Sequence, residues 1–195
     1  MSFGLYLDAG LSTPAGTLTT DHLTDGSTDP VDVPVWFGAP ESGTQIEDAT
    51  APGVASVVVQ LVASVPAWQA SHAYAAGARV VPVSANNRVY QAGGAGTSAA
   101  SAPTWPTTVG ATVTDGGVTW TCIAYQDSPA EYALALTQAG LDTATPGASL
   151  AIGTSVPGGT ENAVSFWLRC IDADAVVQTQ SHVDMVVGNV QETAA

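Results

Sequence analysis

The stretch that decides the fold is the heptapeptide at residues 164–170, which reads Val-Ser-Phe-Trp-Leu-Arg-Cys. Its apolar and polar side chains alternate, and a repeat of two is that of a β-strand with one buried face. Phe166 and Leu168 are expected on the buried face, and Trp167 and Arg169 on the opposite one. Such a strand is typical of a β-sandwich.

Similar runs lie on both sides of this strand in the sequence. In residues 31–37, one face carries Val, Val, Val and Phe, and the other carries Asp32, Pro34 and Trp36. Pro34 predicts an edge strand or a bulge, because proline cannot donate to a β-ladder. Further strands are predicted within residues 3–7, 54–62, 132–137, 149–152 and 183–187.

Two of these regions carry a more specific prediction. The run at 54–62 is almost entirely apolar and predicts a strand buried on both faces. The last residues, 186–195, lose the alternation and are expected to lie on a neighbouring chain.

Turn-forming clusters separate the runs, as at Asp25-Gly26-Ser27 and Pro157-Gly158-Gly159. Many short strands with such turns predict an all-β fold.

The middle of the chain has a different composition. Residues 68–125 hold three of the five tryptophans and three of the five tyrosines. We therefore predict a discontinuous β-sandwich, formed by residues 1–66 plus 128–195, with a small aromatic-rich β module inserted at 67–127. The alternatives are a continuous two-domain chain or three small units in a row.

Hairpin signals organise this central segment. Asn86-Asn87 is a favourable hairpin tip, because both residues tolerate a left-handed conformation. A second hairpin is predicted at Asp115-Gly116-Gly117. A unit of this size has few aliphatic residues, so aromatic side chains must supply part of its core.

The spacing of these residues resembles a known family of modules. The segment contains a Trp, a Tyr-x-x-Gly turn at residues 74–77 and a later Tyr-Gln-Ala at 90–92. This arrangement resembles the small modules of the chitin- and cellulose-binding type. With the Pro-Thr-Trp-Pro of residues 103–106 and the Val-Thr-Asp-Gly of 113–116, the longer segment resembles parts of phage tail, fibre and head-decoration proteins. The resemblance covers about residues 67–125.

The resemblance implies a carbohydrate-binding surface, in which an aromatic ring packs on the C–H face of a sugar. The candidate carbohydrate-binding residues are Trp105, Trp68, Tyr74, Tyr90 and Trp120. All but Trp105 are equally suited to a small core, and that alternative stays open. Trp105 lies in a loop between two prolines and is the best candidate for an exposed platform.

The net charge excludes several classes of partner. The chain has 17 acidic residues, three arginines and no lysine, for a formal charge of −14. Such a chain repels phosphate backbones and anionic membrane surfaces, so we predict no nucleic-acid partner. No apolar run is long enough for a transmembrane helix, and no secretory signal is visible, so we predict no membrane insertion and synthesis in the host cytoplasm.

No metal, cofactor or catalytic site is predicted. The acidic residues Asp21, Asp25, Asp29 and Asp32 suggest calcium, but their spacing differs from an EF-hand and aspartate is common in turns. The histidines have no ligand partners at zinc-binding spacing. No catalytic motif is present, and an enzyme is not favoured. Cys122 and Cys170 are expected to be buried thiols rather than a disulfide.

We therefore predict a non-catalytic virion structural protein on the surface of a phage particle, at the tail tip or baseplate or associated with a fibre. Its expected partners are other virion proteins, copies of itself and a glycan of the host cell surface. Trp36 and Trp167 on the second face of the sandwich are expected to contribute to docking. One alternative is a decoration protein on the capsid. Another, from a different class, is a stand-alone carbohydrate-binding adhesin.

Overall fold

The structure, a computed structural model, describes residues 3–15, 20–21, 30–171, 179–180 and 182–195. These residues form eighteen strands and three short 3-10 helices, with no α-helix among them, so the prediction of an all-β fold is confirmed. The first strands are β1 (Gly4–Tyr6), β2 (Thr20–Asp21), β3 (Val31–Gly38), β4 (Thr44–Asp48), β5 (Val58–Ala63), β6 (Ala73–Tyr74), β7 (Arg79–Val80), β8 (Arg88–Ala92) and β9 (Gly96–Thr97). The later strands are β10 (Thr112–Asp115), β11 (Val118–Tyr125), β12 (Tyr132–Ala135), β13 (Leu150–Ala151), β14 (Ser155–Pro157), β15 (Val164–Cys170), β16 (Thr179–Gln180), β17 (Val183–Val187) and β18 (Val190–Ala194). The 3-10 helices are η1 (Pro129–Glu131), η2 (Gln138–Asp142) and η3 (Thr160–Asn162).

Contacts within the chain divide it into two compact units. Unit 1 consists of Met1–Val62 and Ser128–Ala195, and unit 2 consists of Ala63–Asp127. The predicted division lay within a few residues of these bounds, at 66/67 and 127/128. The docking and carbohydrate-binding roles assigned to the two segments stay predictions.

Unit 1 is β-sandwich-like, with several sheets packed around one core. The largest sheet has the order β1-β3-β15-β12, and two three-stranded sheets have the orders β13-β5-β17 and β14-β4-β18. Each of these sheets contributes side chains to a single core, which includes Val35, Ile46, Val59 and Phe166. The fold is therefore held by apolar burial between sheets.

The pairing of β15 with β3 confirms the predicted faces of both strands. Phe166 and Leu168 are buried in the core, while Trp167 and Arg169 lie on the outer face. Pro34 pairs with Trp167 in this ladder. β1 pairs only with residues 36–38 of β3, so Pro34 lies where β3 has no described neighbour on its second edge. Its missing N–H is tolerated there, as the edge prediction requires.

Two predictions about strands are wrong. The run at 54–62 is not a strand buried on both faces, because β5 begins only at Val58 and Val54 is 80% exposed. Residues 51–55 instead form turns, in which Gly53 adopts a φ of +69°. The last residues do not leave the unit, because β18 pairs along its whole length with β4.

Unit 2 contains a four-stranded antiparallel sheet, with the order β10-β11-β8-β7, and a short ribbon of β6 and β9. The predicted hairpin tip at Asn87 adopts a left-handed conformation, with a φ of +55°. At the second hairpin, Gly116 has a φ of +59°. A Cβ at Gly116 would lie 2.6 Å from the carbonyl oxygen of Thr97, so only glycine fits.

Candidate functional site

The carboxylate of Asp115 organises the aromatic residues of unit 2. Asp115 ends β10 and is only 2% exposed. Its Oδ2 accepts hydrogen bonds from the indole Nε1 of Trp68 at 2.8 Å and of Trp120 at 2.9 Å, and its Oδ1 accepts one from the amide of Ala99 at 2.9 Å. Three segments that are distant in sequence thus converge on one buried carboxylate, which fixes both indole rings.

Three of the five predicted sugar-binding residues form the core of unit 2. Trp68 is 6% exposed, and Tyr90 and Trp120 are fully buried. They pack with Val80 and Val118. A sugar ring stacks only on an accessible aromatic face, and these three rings present none in this structure. They fit the alternative that the sequence left open, a small core made of aromatic side chains.

The other two predicted residues, Tyr74 and Trp105, are half-buried at the surface of this core. The ring of Tyr74 meets that of Trp120 edge to face, with centroids 4.9 Å apart. Trp105 packs on Tyr90 at 4.4 Å and on Trp120 at 6.0 Å between centroids. Trp105 is therefore not a protruding platform, as the sequence suggested, but a ring that covers the core and keeps part of its surface accessible.

Side chains from β8 and from the turn before it hold the loop that carries Trp105. The phenol of Tyr90 donates to the carbonyl oxygen of Pro106 at 2.8 Å and accepts from the side-chain amide of Asn86 at 2.7 Å. The guanidinium of Arg88 donates to the carbonyl oxygen of Thr107 at 2.8 Å and lies 3.6 Å from the ring centroid of Tyr125. Burial raises the pKa of the Tyr90 phenol, so the phenol stays protonated and remains a donor.

The position of Tyr74 is fixed in a similar way. Its phenol oxygen accepts a hydrogen bond from the amide of Gln69 at 2.7 Å. The buried hydroxyl of Ser98 donates to the carbonyl oxygen of Gln69 at 2.7 Å and accepts from the amide of His72 at 3.0 Å. The imidazole of His72 packs edge-on against the ring of Tyr74, at 4.7 Å between centroids. The backbone near the Tyr74 ring, at Gln69 and His72, is thus hydrogen-bonded to Ser98 of unit 2.

Sequence reasoning missed the residues that position these rings, namely Asp115, Ser98 and Arg88. Asp115 was interpreted only as a turn residue of the predicted hairpin. The sequence did contain one indication that a buried acceptor was needed. Each tryptophan indole donates one hydrogen bond, so a core with several indoles requires an acceptor. Unit 2 contains only two acidic residues, Asp115 and Asp127, so only these two carboxylates were candidates for the acceptor.

Charge is divided unequally between the two units. Fifteen of the 17 acidic residues and one of the three arginines belong to unit 1, which gives this unit the whole formal charge of −14. In unit 2 the two carboxylates, Asp115 and Asp127, are balanced by Arg79 and Arg88. Both of these carboxylates are buried, so the surface of unit 2 carries no acidic side chain.

The outer face of the large sheet of unit 1 carries three half-buried aromatic residues. Tyr6 and Trp36 face each other across β1 and β3, and Trp167 lies in the next row on β15. Beside them, Arg169 binds Asp32 through two hydrogen bonds, of 2.7 and 3.0 Å, and Asp142 through one of 2.9 Å. The hydrogen bond from Arg169 lowers the pKa of Asp32.

Of the four aspartates considered for calcium, only Asp32 has a side chain that the structure describes, and this side chain pairs with Arg169. Asp25 and Asp29 of the proposed calcium cluster, together with His22 and the turn predicted at 25–27, lie outside the described residues. Across the residues that the structure does describe, no three metal-ligating side chains come together. Within the same residues, no helix has the length and apolarity to span a bilayer.

The two cysteines, Cys122 and Cys170, are not joined by a disulfide, and Cys122 is buried as predicted, whereas Cys170 is only half-buried. Cys122 is buried in the aromatic core of unit 2, and burial raises the pKa of its thiol. A thiol in such a setting is a small apolar core residue rather than a nucleophile.

Comparison with family models, with curated proteins and with solved structures gives no match.

Proposed function

We propose that this protein is a non-catalytic structural component of a phage particle, located at the tail tip or baseplate or on a fibre, in which unit 2 is a displayed carbohydrate-binding module. The observation that carries the proposal is the pair of half-buried rings of Tyr74 and Trp105, both packed on the buried Trp120. The resemblance of residues 67–125 to small carbohydrate-binding modules and to segments of phage proteins supports the same proposal.

Rigid aromatic rings suit the recognition of a sugar. The C–H face of a pyranose is apolar and packs on an aromatic face, while its hydroxyls bond nearby polar groups. Trp105 and Tyr74 are held by core contacts and by tied backbone, so little side-chain entropy is lost when a ligand binds. Gln69 and His72 lie beside Tyr74 and offer polar groups for hydroxyls.

Unit 1 supplies the part of the molecule that would join an assembly. Its outer sheet face presents Tyr6 and Trp36 and part of Trp167, which also packs against the buried cluster that contains Leu141 of η2, and aromatic side chains are enriched in protein–protein interfaces. The remaining surface is acidic and favours solubility of the free chain before assembly.

Binding to host surface polysaccharide tests the role of unit 2. We expect the purified protein to co-sediment with cell-wall polysaccharide of the host, and Trp105→Leu, which keeps an apolar side chain but removes the planar ring, to lose most of this binding. Val83→Thr is the matched control, because Val83 is an exposed apolar residue of unit 2 that lies outside the aromatic cluster. Wild-type protein that sediments with no host polysaccharide would overturn the carbohydrate-binding role.

Antibody labelling of intact particles tests the location. We expect gold label at the tail tip, baseplate or fibres. Label on the capsid would favour a decoration protein instead, and particles without label would contradict a virion component.

A further inference from the structure

A shallow hollow of about 330 Å³, whose lining side chains are mostly apolar, opens on the surface of unit 1. Its walls come from three sheets. Leu5 and Phe37 belong to the large sheet, Ile46 and Val190 to the sheet of β4 and β18, and Val187 to β17. The hollow is thus a gap between sheets that the side chains of the described residues do not fill.

One carboxylate, that of Glu192, lies among these apolar walls. Glu192 pairs with Ile46 across β18 and β4, and its side chain therefore shares the inward face of the sheet with that core residue. Glu192 is nevertheless exposed. No hydrogen bond or ion pair of its carboxylate is found among the described residues. An accessible carboxylate beside an apolar hollow suits a ligand that combines an apolar group with a positive charge.

The charge of the chain indicates what kind of protein can supply that ligand. The chain has no lysine and only three arginines, of which Arg169 is engaged with Asp32 and Asp142, and Arg88 with backbone carbonyls and Tyr125. The third, Arg79, is exposed on β7 of unit 2. A second copy would also bring another unit 1 with a charge of −14. A copy of this chain is therefore a poor source of the required cation, and a basic partner is electrostatically complementary.

We propose that the hollow is a docking site for an apolar side chain flanked by lysine or arginine on a different, basic protein. The apolar side chain enters between the sheets and covers Leu5, Ile46 and Val187. Its basic neighbour pairs with Glu192 at the rim, while the acidic surface of unit 1 speeds the encounter. This inference concerns unit 1 alone and does not rest on carbohydrate binding by unit 2.

Short peptides test the proposal on the full chain. The probes are acetylated and amidated Lys-Leu-Lys, Glu-Leu-Glu and Lys-Ala-Lys, titrated at low salt while the methyl resonances of Val187 and Val190 are followed by NMR. We expect saturable, millimolar binding of Lys-Leu-Lys with shifts at these methyls, and several-fold weaker binding of the other two peptides.

Two variants separate the charge from the apolar contact. Glu192→Gln keeps the shape of the hollow and should weaken Lys-Leu-Lys binding about two- to fivefold, as expected for one partly exposed ion pair. Glu41→Gln removes the same charge from an exposed site outside the hollow and should change the affinity less. Val187→Phe fills the hollow and removes one of the two probes, so it should abolish the shifts of the remaining Val190 methyls, while its unfolding midpoint shows whether it folds.

Three results would overturn the proposal. They are equal binding of Lys-Leu-Lys and Glu-Leu-Glu, equal effects of Glu192→Gln and Glu41→Gln, and no shift at Val187 or Val190 with any peptide.

Discussion

Units 1 and 2 solve the problem of forming a core in different ways. In unit 1, ten of the thirteen buried core residues are valine, leucine or isoleucine, supplied by several sheets. In unit 2, three of the seven are large aromatic residues, and a buried aspartate binds two of them. The units also differ in charge, since unit 1 carries all of the net −14.

The difference follows from size. A unit as short as Ala63–Asp127 buries too little surface to be stabilised by a few aliphatic side chains. Large aromatic rings bury more area per residue, but their indole N–H groups then need an acceptor. Asp115 meets that need, so hydrogen bonding is part of the core in unit 2.

The largest loss of stability is expected from a substitution that creates a cavity in the core of unit 1. Phe166→Ala removes a fully buried ring from the centre of β15 and should lower the free energy of unfolding by about 3–5 kcal/mol. Hydrogen exchange followed by mass spectrometry should show faster exchange in β3 and β15. Ser165→Ala, an exposed neighbour on the same strand, is the control and should change little. A loss of less than about 1 kcal/mol would contradict the assignment of the core.

A somewhat smaller effect is expected at Asp115 in unit 2. Asp115→Ala leaves two buried indole N–H groups and the amide of Ala99 without their acceptor, which should cost about 2–4 kcal/mol. The expected result is faster exchange in β10 and β11 and altered emission of Trp68 and Trp120.

Substitutions at Asp115 test whether its carboxylate stabilises the core of unit 2. Asp115→Asn is the informative companion, because it keeps one oxygen acceptor and should be destabilised less than Asp115→Ala. If Asp115→Ala unfolds at the same denaturant concentration as the wild type, the carboxylate does not hold the core of unit 2.

Much of the fold could be predicted from the sequence, because alternation reports directly on burial of one face. The buried face of β15 was predicted and is confirmed, as is that of β3 at Val35 and Phe37, whereas Val31 at the start of β3 is 58% exposed. β18 was missed, because its Gln191, Glu192 and Thr193 give almost no apolar signal. The strand is formed through its ladder with β4, and such pairing depends on a partner that is far away in sequence.

The candidate site was less predictable for a related reason. Aromatic residues look alike in a sequence whether they form a core or present a face, and only contacts separate the two. Trp120 is fully buried while Trp105 is half-buried, although both are tryptophans among small and polar neighbours. The role of Asp115 depends on residues 47 positions before it and five after it, and no local pattern encodes that geometry.

A smaller loss of stability is expected from a substitution at Arg88. This substitution tests whether Arg88 holds the Trp105 loop in place. Arg88→Lys keeps the charge but loses the planar group that binds two carbonyls and packs on Tyr125, so about 1 kcal/mol of stability should be lost. The indole N–H resonance of Trp105 in the ¹⁵N-labelled protein should move, while those of Trp36 and Trp167 in unit 1 should stay in place.

Arg79→Lys is the matched control for Arg88→Lys, because Arg79 is exposed on β7 of the same unit. Equal effects of the two substitutions would show that Arg88 has no particular role in the loop.

The smallest effect is expected from the ion pair on the outer face of unit 1. Because Arg169 lowers the pKa of Asp32, the pair contributes stability above the ordinary carboxyl pKa near 4, and this contribution is lost as the pH falls through the lower pKa of the folded state. The difference in unfolding free energy between wild type and Asp32→Asn, measured by denaturant titration, should therefore shrink as the pH is lowered below about 4. A difference that does not change with pH would contradict the pairing.

The most direct test of the carbohydrate-binding surface uses the tryptophan indole N–H resonances of the ¹⁵N-labelled protein, five in all. The protein is titrated with soluble fragments of host surface polysaccharide. The Trp105 signal should move on binding, while those of Trp68 and Trp120, which are bonded to buried Asp115, should stay nearly fixed. If no indole signal moves, or if Trp68 and Trp120 move and Trp105 does not, the half-buried rings of unit 2 are not the carbohydrate-binding surface.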